Sequence, residues 1–196
     1  MQQKRVVITG LGLVTPLGND VASTWQNLLQ GKSGADNITH FDASKFKTQF
    51  ACEVKGLDMS SLLDAKELRR YDRYIHYALK SAEEALLDAK VSIEQEDALR
   101  CGVIFGSGMG GIYTLDCNAG GFGAGDGTPR YSPFYIPMTI TNMAAGMLAM
   151  RYGFKGVNFS TTTACASSSH AQDSQRSSLD HRSTHFQSRV IVSAPQ

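Results

Sequence analysis

The sequence predicts an α/β fold layered around a mostly parallel sheet, on three observations. Short β-branched or apolar runs, at residues 5–14, 101–106 and 160–163, alternate with stretches of helical period. Gly and Pro punctuate the changes between them. Hydrophobic residues make up 42% of the 196, enough for one sizeable core.

In chain order, residues 5–14 read as a buried first strand, followed by a turn carrying Pro16 and Gly18. Asn19 or Asp20 caps a helix with Val21, Trp25, Leu28 and Leu29 on one face, stopped by Gly31. A polar loop leads to a short strand at residues 50–54. Leu68, Tyr71, Ile75, Ala78, Leu79, Ala82 and Leu86 then recur every three or four residues, which predicts one long helix burying that stripe. Residues 101–106 form a glycine-bounded apolar run, the pattern of a strand buried on both faces. Glycine-heavy residues 106–133 lack a period and are expected to be loop. Pro137 opens a helix through Ala144, Ala145, Gly146, Leu148 and Met150 that ends at Gly153, its small residues implying close packing. The run at 160–163 is a strand ending at Cys165. From Gln172 to Ser188 only Leu179 and Phe186 are large and apolar, which argues against a core-facing helix, while residues 189–193 suit one more short strand.

With 19 basic and 18 acidic side chains the net charge is +1, so no global field draws the chain to nucleic acid or an anionic membrane. The start, Lys4-Arg5 before an apolar run, has the outline of a signal peptide. Two glycines and Pro16 interrupt the run, however, and it falls well short of the roughly 18 apolar residues of a span. Cys52, Cys101, Cys117 and Cys165 lack C-x-x-C spacing and fit reduced thiols, so a cytoplasmic protein is expected.

Cys165, in the run Thr161-Thr162-Thr163-Ala164-Cys165-Ala166-Ser167-Ser168-Ser169, is the candidate nucleophile. A helix N-terminus stabilises a thiolate, and a tight strand-to-helix turn exposes the sulfur among small neighbours. The same N–H groups suit an oxyanion in acyl transfer. On these residues alone a buried structural thiol remains an open reading.

Several runs together resemble one family. They are Arg5-Val6-Val7-Ile8-Thr9-Gly10-Leu11-Gly12 with Thr15-Pro16-Leu17-Gly18, Gly106-Ser107-Gly108-Met109-Gly110-Gly111, Ser132-Pro133-Phe134-Tyr135-Ile136-Pro137 with Asn142-Met143-Ala144-Ala145-Gly146, Tyr152-Gly153 with Gly156, and Thr163-Ala164-Cys165-Ala166-Ser167. In order and spacing they resemble the beta-ketoacyl-acyl-carrier-protein synthases, most closely the synthase II type. The resemblance implies the N-terminal half of a thiolase-like, five-layered α-β-α-β-α fold over residues 1–171, with 172–196 a divergent polar tail. It implies fatty-acid elongation, with an acyl group passed from carrier protein to Cys165 and attacked there by the carbanion from decarboxylated malonyl-carrier protein. It places Met109, Phe134 and Ile136 along the acyl channel and subunit interface, and Lys66, Arg69 and Arg70 in a basic patch that docks acyl carrier protein. A homodimer acting on acyl and malonyl thioesters, with no cofactor, follows from the same likeness.

The family's two catalytic histidines, active-site lysine and second oxyanion donor belong to its other half and match nothing here. His170 lies five residues after Cys165, about 140° round a helix, and is not expected to be the base. His181 and His185 have metal-ligand spacing, but no second cysteine is near and no metal is expected. Gly10-x-Gly12 lacks the third glycine of a dinucleotide fingerprint. Two readings remain: the condensing enzyme, or an incomplete half that only binds carrier protein or a synthase subunit.

Overall fold

The computed structural model describes residues 7–92, 94–180 and 191–192. Its centre is a three-stranded parallel sheet of order β4-β3-β5, with β3 at Val103–Gly106, β4 at Asn158–Thr161 and β5 at Ile191–Val192. Val103 pairs with Asn158 and Gly106 with Thr161 on one side, while Ile104 pairs with Ile191 on the other. All four residues of β3 are buried, as a strand flanked on both edges and covered on both faces requires.

The layers follow from the alternation of β3. Val103 and Phe105 point into the main core, where α3 (Arg73–Asp88) supplies Ile75, Ala78, Leu79, Ala82 and Leu86. Ala144, Ala145 and Leu148 of α6 (Met143–Tyr152) complete it. Ala144 and Ala145 have no exposed surface, so their small side chains let α6 approach α3 closely. Ile104 is buried outside that cluster, and α7 (Ser167–Asp180) packs on β3 and β4. Gly153, left-handed at φ 68°, ends α6 as expected.

Several elements differ from expectation. The single long helix is two: α2 (Ala65–Arg70) and α3, broken at Tyr71 and Asp72. Asp72 caps α3, and its carboxylate also accepts from the Thr114 N–H at 2.9 Å and the Thr114 hydroxyl at 2.5 Å. Thr114 lies in the first turn of α4 (Ile112–Ala124), a helix where a loop was expected, so one buried carboxylate caps two helices. The helix expected from Pro137 is divided into α5 (Tyr135–Thr139) and α6, parted at Ile140, Thr141 and Asn142. The strand expected at 50–54 is β2 (Phe50–Cys52), paired antiparallel with β1 (Ala35–Asn37) inside the expected loop. Helix α7 continues to Asp180, past the residue-171 boundary and into the segment judged unfit for a core-facing helix.

Residues 7–14 do not form the buried first strand. They run along α3, where the Leu11 and Leu13 N–H groups donate to the carboxylates of Asp88 and Glu84, each at 2.9 Å. A Cβ at Gly12 would lie 1.9 Å from the Ser81 carbonyl oxygen, so the approach is open to glycine alone. Val7 and Ile8 consequently stay 65% and 79% exposed. Asp20 caps α1 (Val21–Leu29) through the Ser23 N–H, yet the face with Trp25, Leu28 and Leu29 is solvent-exposed. No described helix is long and apolar enough to cross a membrane.

Candidate active site

Strand β4 ends at Thr161, and residues 164–166 form a single 3₁₀ turn before α7 begins at Ser167. Cys165 is the middle residue of that turn and is exposed. The bend is sharp: Ala164 has φ 49°, a left-handed conformation that a residue with a Cβ adopts only when its surroundings enforce it.

The enforcing group is Ser167. Its hydroxyl is buried, donates to the Ala164 carbonyl at 2.7 Å and accepts from the Thr163 N–H at 2.9 Å. The Thr161 hydroxyl donates to the Ser167 carbonyl at 2.7 Å, and the Ala166 N–H donates to Thr163 at 3.1 Å. Beneath the turn lies Gly106, where a Cβ would come within 2.6 Å of the Ser167 carbonyl carbon and the Ser168 nitrogen. The last residue of β3 must therefore be glycine for α7 to start where it does.

The neighbouring loops are tied to the same turn. Thr162 and Ser160 donate to the hydroxyl and carbonyl of Thr141, each at 3.3 Å, which ties the link between α5 and α6 to the segment leading into the Cys165 turn. That link is held from the core by the Tyr74 hydroxyl, which donates to Ile140 at 2.5 Å. Burial, followed by the nearby charge of Asp72, raises the pKa of Tyr74 and keeps it a donor. The Gly110 N–H donates to the buried Ser107 hydroxyl and the Gly111 N–H to Thr139, so residues 107–111 join the cluster. A hollow of about 400 Å³ lies apart from Cys165, between residues 54–60 and α3, lined by Leu68, Arg73, His76 and Tyr77 among others.

The family described as "Beta-ketoacyl synthase, N-terminal domain" matches residues 3–186. The chain belongs to the beta-ketoacyl synthase family. It is 46% identical over 170 residues to the 3-oxoacyl-[acyl-carrier-protein] synthase 2 of Coxiella burnetii (strain RSA 493 / Nine Mile phase I), covering 87% of this chain and 41% of that protein. The protein of the same name from Synechocystis sp. is 44% identical over 171 residues, with the same coverages. A solved beta-ketoacyl synthase from Burkholderia phymatum STM815 superposes with a TM-score of 0.74 at 27% identity, over 90% of this chain and 44% of that one. The ishigamide ketosynthase/chain length factor gives 0.80 at 25%, over 91% and 45%. The fold is therefore thiolase-like, and the chain spans about two-fifths of the length of the curated relatives it matches.

Within this beta-ketoacyl synthase domain the expected site residues fall into two groups. Cys165 stands at the turn, and Met109 precedes Gly110, whose would-be Cβ lies 3.2 Å from the Thr141 Cα. Met109 and Ile136 are 62% and 60% exposed. Lys66, Arg69 and Arg70 lie on the exposed surface of α2. Phe134, also expected at the channel, has its ring centroid 4.6 Å from the Arg70 guanidinium carbon. His170 shares a 2.7 Å hydrogen bond with Thr163, and among the described residues no histidine is bonded to Cys165. No group of three metal-ligating side chains occurs among the described residues, and His181 and His185 lie outside them.

Sequence reasoning missed Ser167, Thr141, Tyr74 and Asp72, whose hydrogen bonds hold the turn and the loops around it. Ser167 was quoted within the Cys165 run, but its position two residues after the cysteine does not reveal that its hydroxyl turns back on the chain. Asp72 carried a usable signal as a capping residue type before Arg73, hidden inside an unbroken apolar period.

Proposed function

We propose that Cys165 accepts an acyl group from acyl carrier protein, the first step of a 3-oxoacyl-carrier-protein synthase of fatty-acid elongation. The carrying observation is the Cys165 turn: an exposed thiol ahead of a helix N-terminus, in a left-handed bend locked by Ser167. The relatives named 3-oxoacyl-[acyl-carrier-protein] synthase 2 support the substrate class. The Cys165 thiolate attacks the thioester carbonyl, forming a new carbon–sulfur bond, and amide N–H groups at the mouth of α7 steady the oxyanion. Collapse breaks the bond to the carrier's sulfur, which leaves as a thiolate and takes up a proton.

In the whole enzyme the acyl thioester then meets the carbanion from malonyl-carrier protein. Lys66, Arg69 and Arg70 receive the carrier's acidic surface, Met109, Phe134 and Ile136 border the acyl chain, and the enzyme works as a cytoplasmic homodimer without a cofactor.

The test is incubation of the chain with a saturated acyl-carrier protein, followed by intact mass and peptide mapping. One acyl group on Cys165, lost in Cys165→Ala, is expected. No acylation, or acylation that survives the substitution, would overturn the proposal.

A further inference from the structure

We propose that Phe134 and Tyr113 are positioning residues for carrier-protein docking, each backing an arginine so that its N–H edge faces the partner. The inference rests on the carrier-protein reading above, and adds to it Arg73 as a docking group and two aromatic rings as determinants of affinity.

Arg70 ends α2 and Arg73 begins α3, so the two flank the break at Tyr71 and Asp72. The Arg70 guanidinium carbon is 4.6 Å from the Phe134 ring centroid, and that of Arg73 is 4.2 Å from the Tyr113 centroid. The rings come from separate elements, Phe134 from the cap of α5 and Tyr113 from the first turn of α4. Both contacts are within the range of a cation–π attraction.

Asp72, the acidic residue between the arginines, forms no ion pair with either among the described residues. The Asp72 carboxylate is buried and bonded to Tyr74 and Thr114, which also anchors the backbone next to Tyr113. Among the described residues neither Arg70 nor Arg73 forms an ion pair. A guanidinium stacked on a ring is held by its face, while its five N–H donors lie in its own plane and stay available to a carboxylate. Among the described residues Lys66 and Arg69 have no such ring contact, and they supply general attraction. The ring contacts restrict Arg70 and Arg73, and restricting a long side chain before contact reduces the ordering cost of binding. A partner with paired acidic side chains on a helix surface fits this arrangement.

Calorimetric titration of the full chain with holo-acyl carrier protein, at one low salt concentration, tests the inference. Phe134→Leu and Tyr113→Leu should each weaken binding about two- to five-fold, the factor an exposed cation–π contact represents. Phe134→Tyr and Tyr113→Phe should bind as the parent does. On an Arg70→Ala background, Phe134→Leu should cost nothing further. An equal effect of Phe134→Leu with and without Arg70, or none in the parent, would overturn the inference while leaving the docking face intact. A parent chain that fails to bind carrier protein would remove the docking face and the inference with it. In the unmodified free chain, the Arg70 and Arg73 side-chain proton resonances should be shifted upfield by the ring currents. Unshifted resonances would refute the stacking whether or not the variants fold.

Discussion

At the residue scale, one hydroxyl holds the turn that carries Cys165. Ser167 closes the turn from both sides, donating to Ala164 and accepting from Thr163. Ser167→Ala removes the donor and strands the Thr163 N–H, so it should destabilise the chain by about 1–3 kcal/mol. The bend at Ala164 then loses what enforces it, and alkylation of Cys165 should slow relative to Cys52 and Cys117. Thermal melting and cysteine mapping of the variant check both effects, and a variant as stable and as selective as the parent would show the hydroxyl to be incidental. The position of Cys165 in a turn shortly after a strand was legible because a β-branched run gives way to small residues there, although the strand is Asn158–Thr161 rather than 160–163. The grip of Ser167 was not, since no spacing rule says where a hydroxyl points.

Among the elements, the sequence pattern succeeded where burial dictates residue type and failed where a local break outranks periodicity. Strand β3 and helices α3 and α6 were readable from apolar residues, and all three bury them in the core. The break between α2 and α3 was invisible because Leu68, Tyr71 and Ile75 keep the helical spacing across it. Helix α4 was hidden by Gly120, Gly121 and Gly123, which met the rule for a loop, although its first turn is anchored by Asp72. A separate element depends on Glu53, directly after β2. Its carboxylate accepts from the Thr39 hydroxyl and the N–H groups of Thr39 and His40. The Thr39 hydroxyl first, and then its N–H, hold the Glu53 pKa below its usual value of 4.5. A carboxylate with a depressed folded-state pKa stabilises the fold above the unfolded value, and that stability is lost as pH falls through the folded pKa. Glu53→Gln should therefore flatten the decline of melting temperature below pH 4.5, and an unchanged acid slope would rule out this linkage.

For the whole molecule, the most consequential departure is apolar surface without a partner. The expected first strand lies against α3 with Val7 and Ile8 in solvent, and the apolar face of α1 carries Trp25 at 59% and Leu29 at 70% exposure. A periodic pattern tells which residues seek burial, but not whether anything in the same chain covers them. Such surface promotes association. The chain should bind a hydrophobic dye and self-associate as its concentration rises, which light scattering measures. A dye-inert, monodisperse monomer at high concentration would contradict this. The account as a whole depends on Cys165 being set apart from other exposed thiols by its turn. The direct measurement is the alkylation rate of each cysteine with iodoacetamide, read by peptide mass. Cys165 should react faster than Cys52 and Cys117, which are also exposed, with buried Cys101 slowest. Equal rates at Cys165, Cys52 and Cys117 would contradict the account.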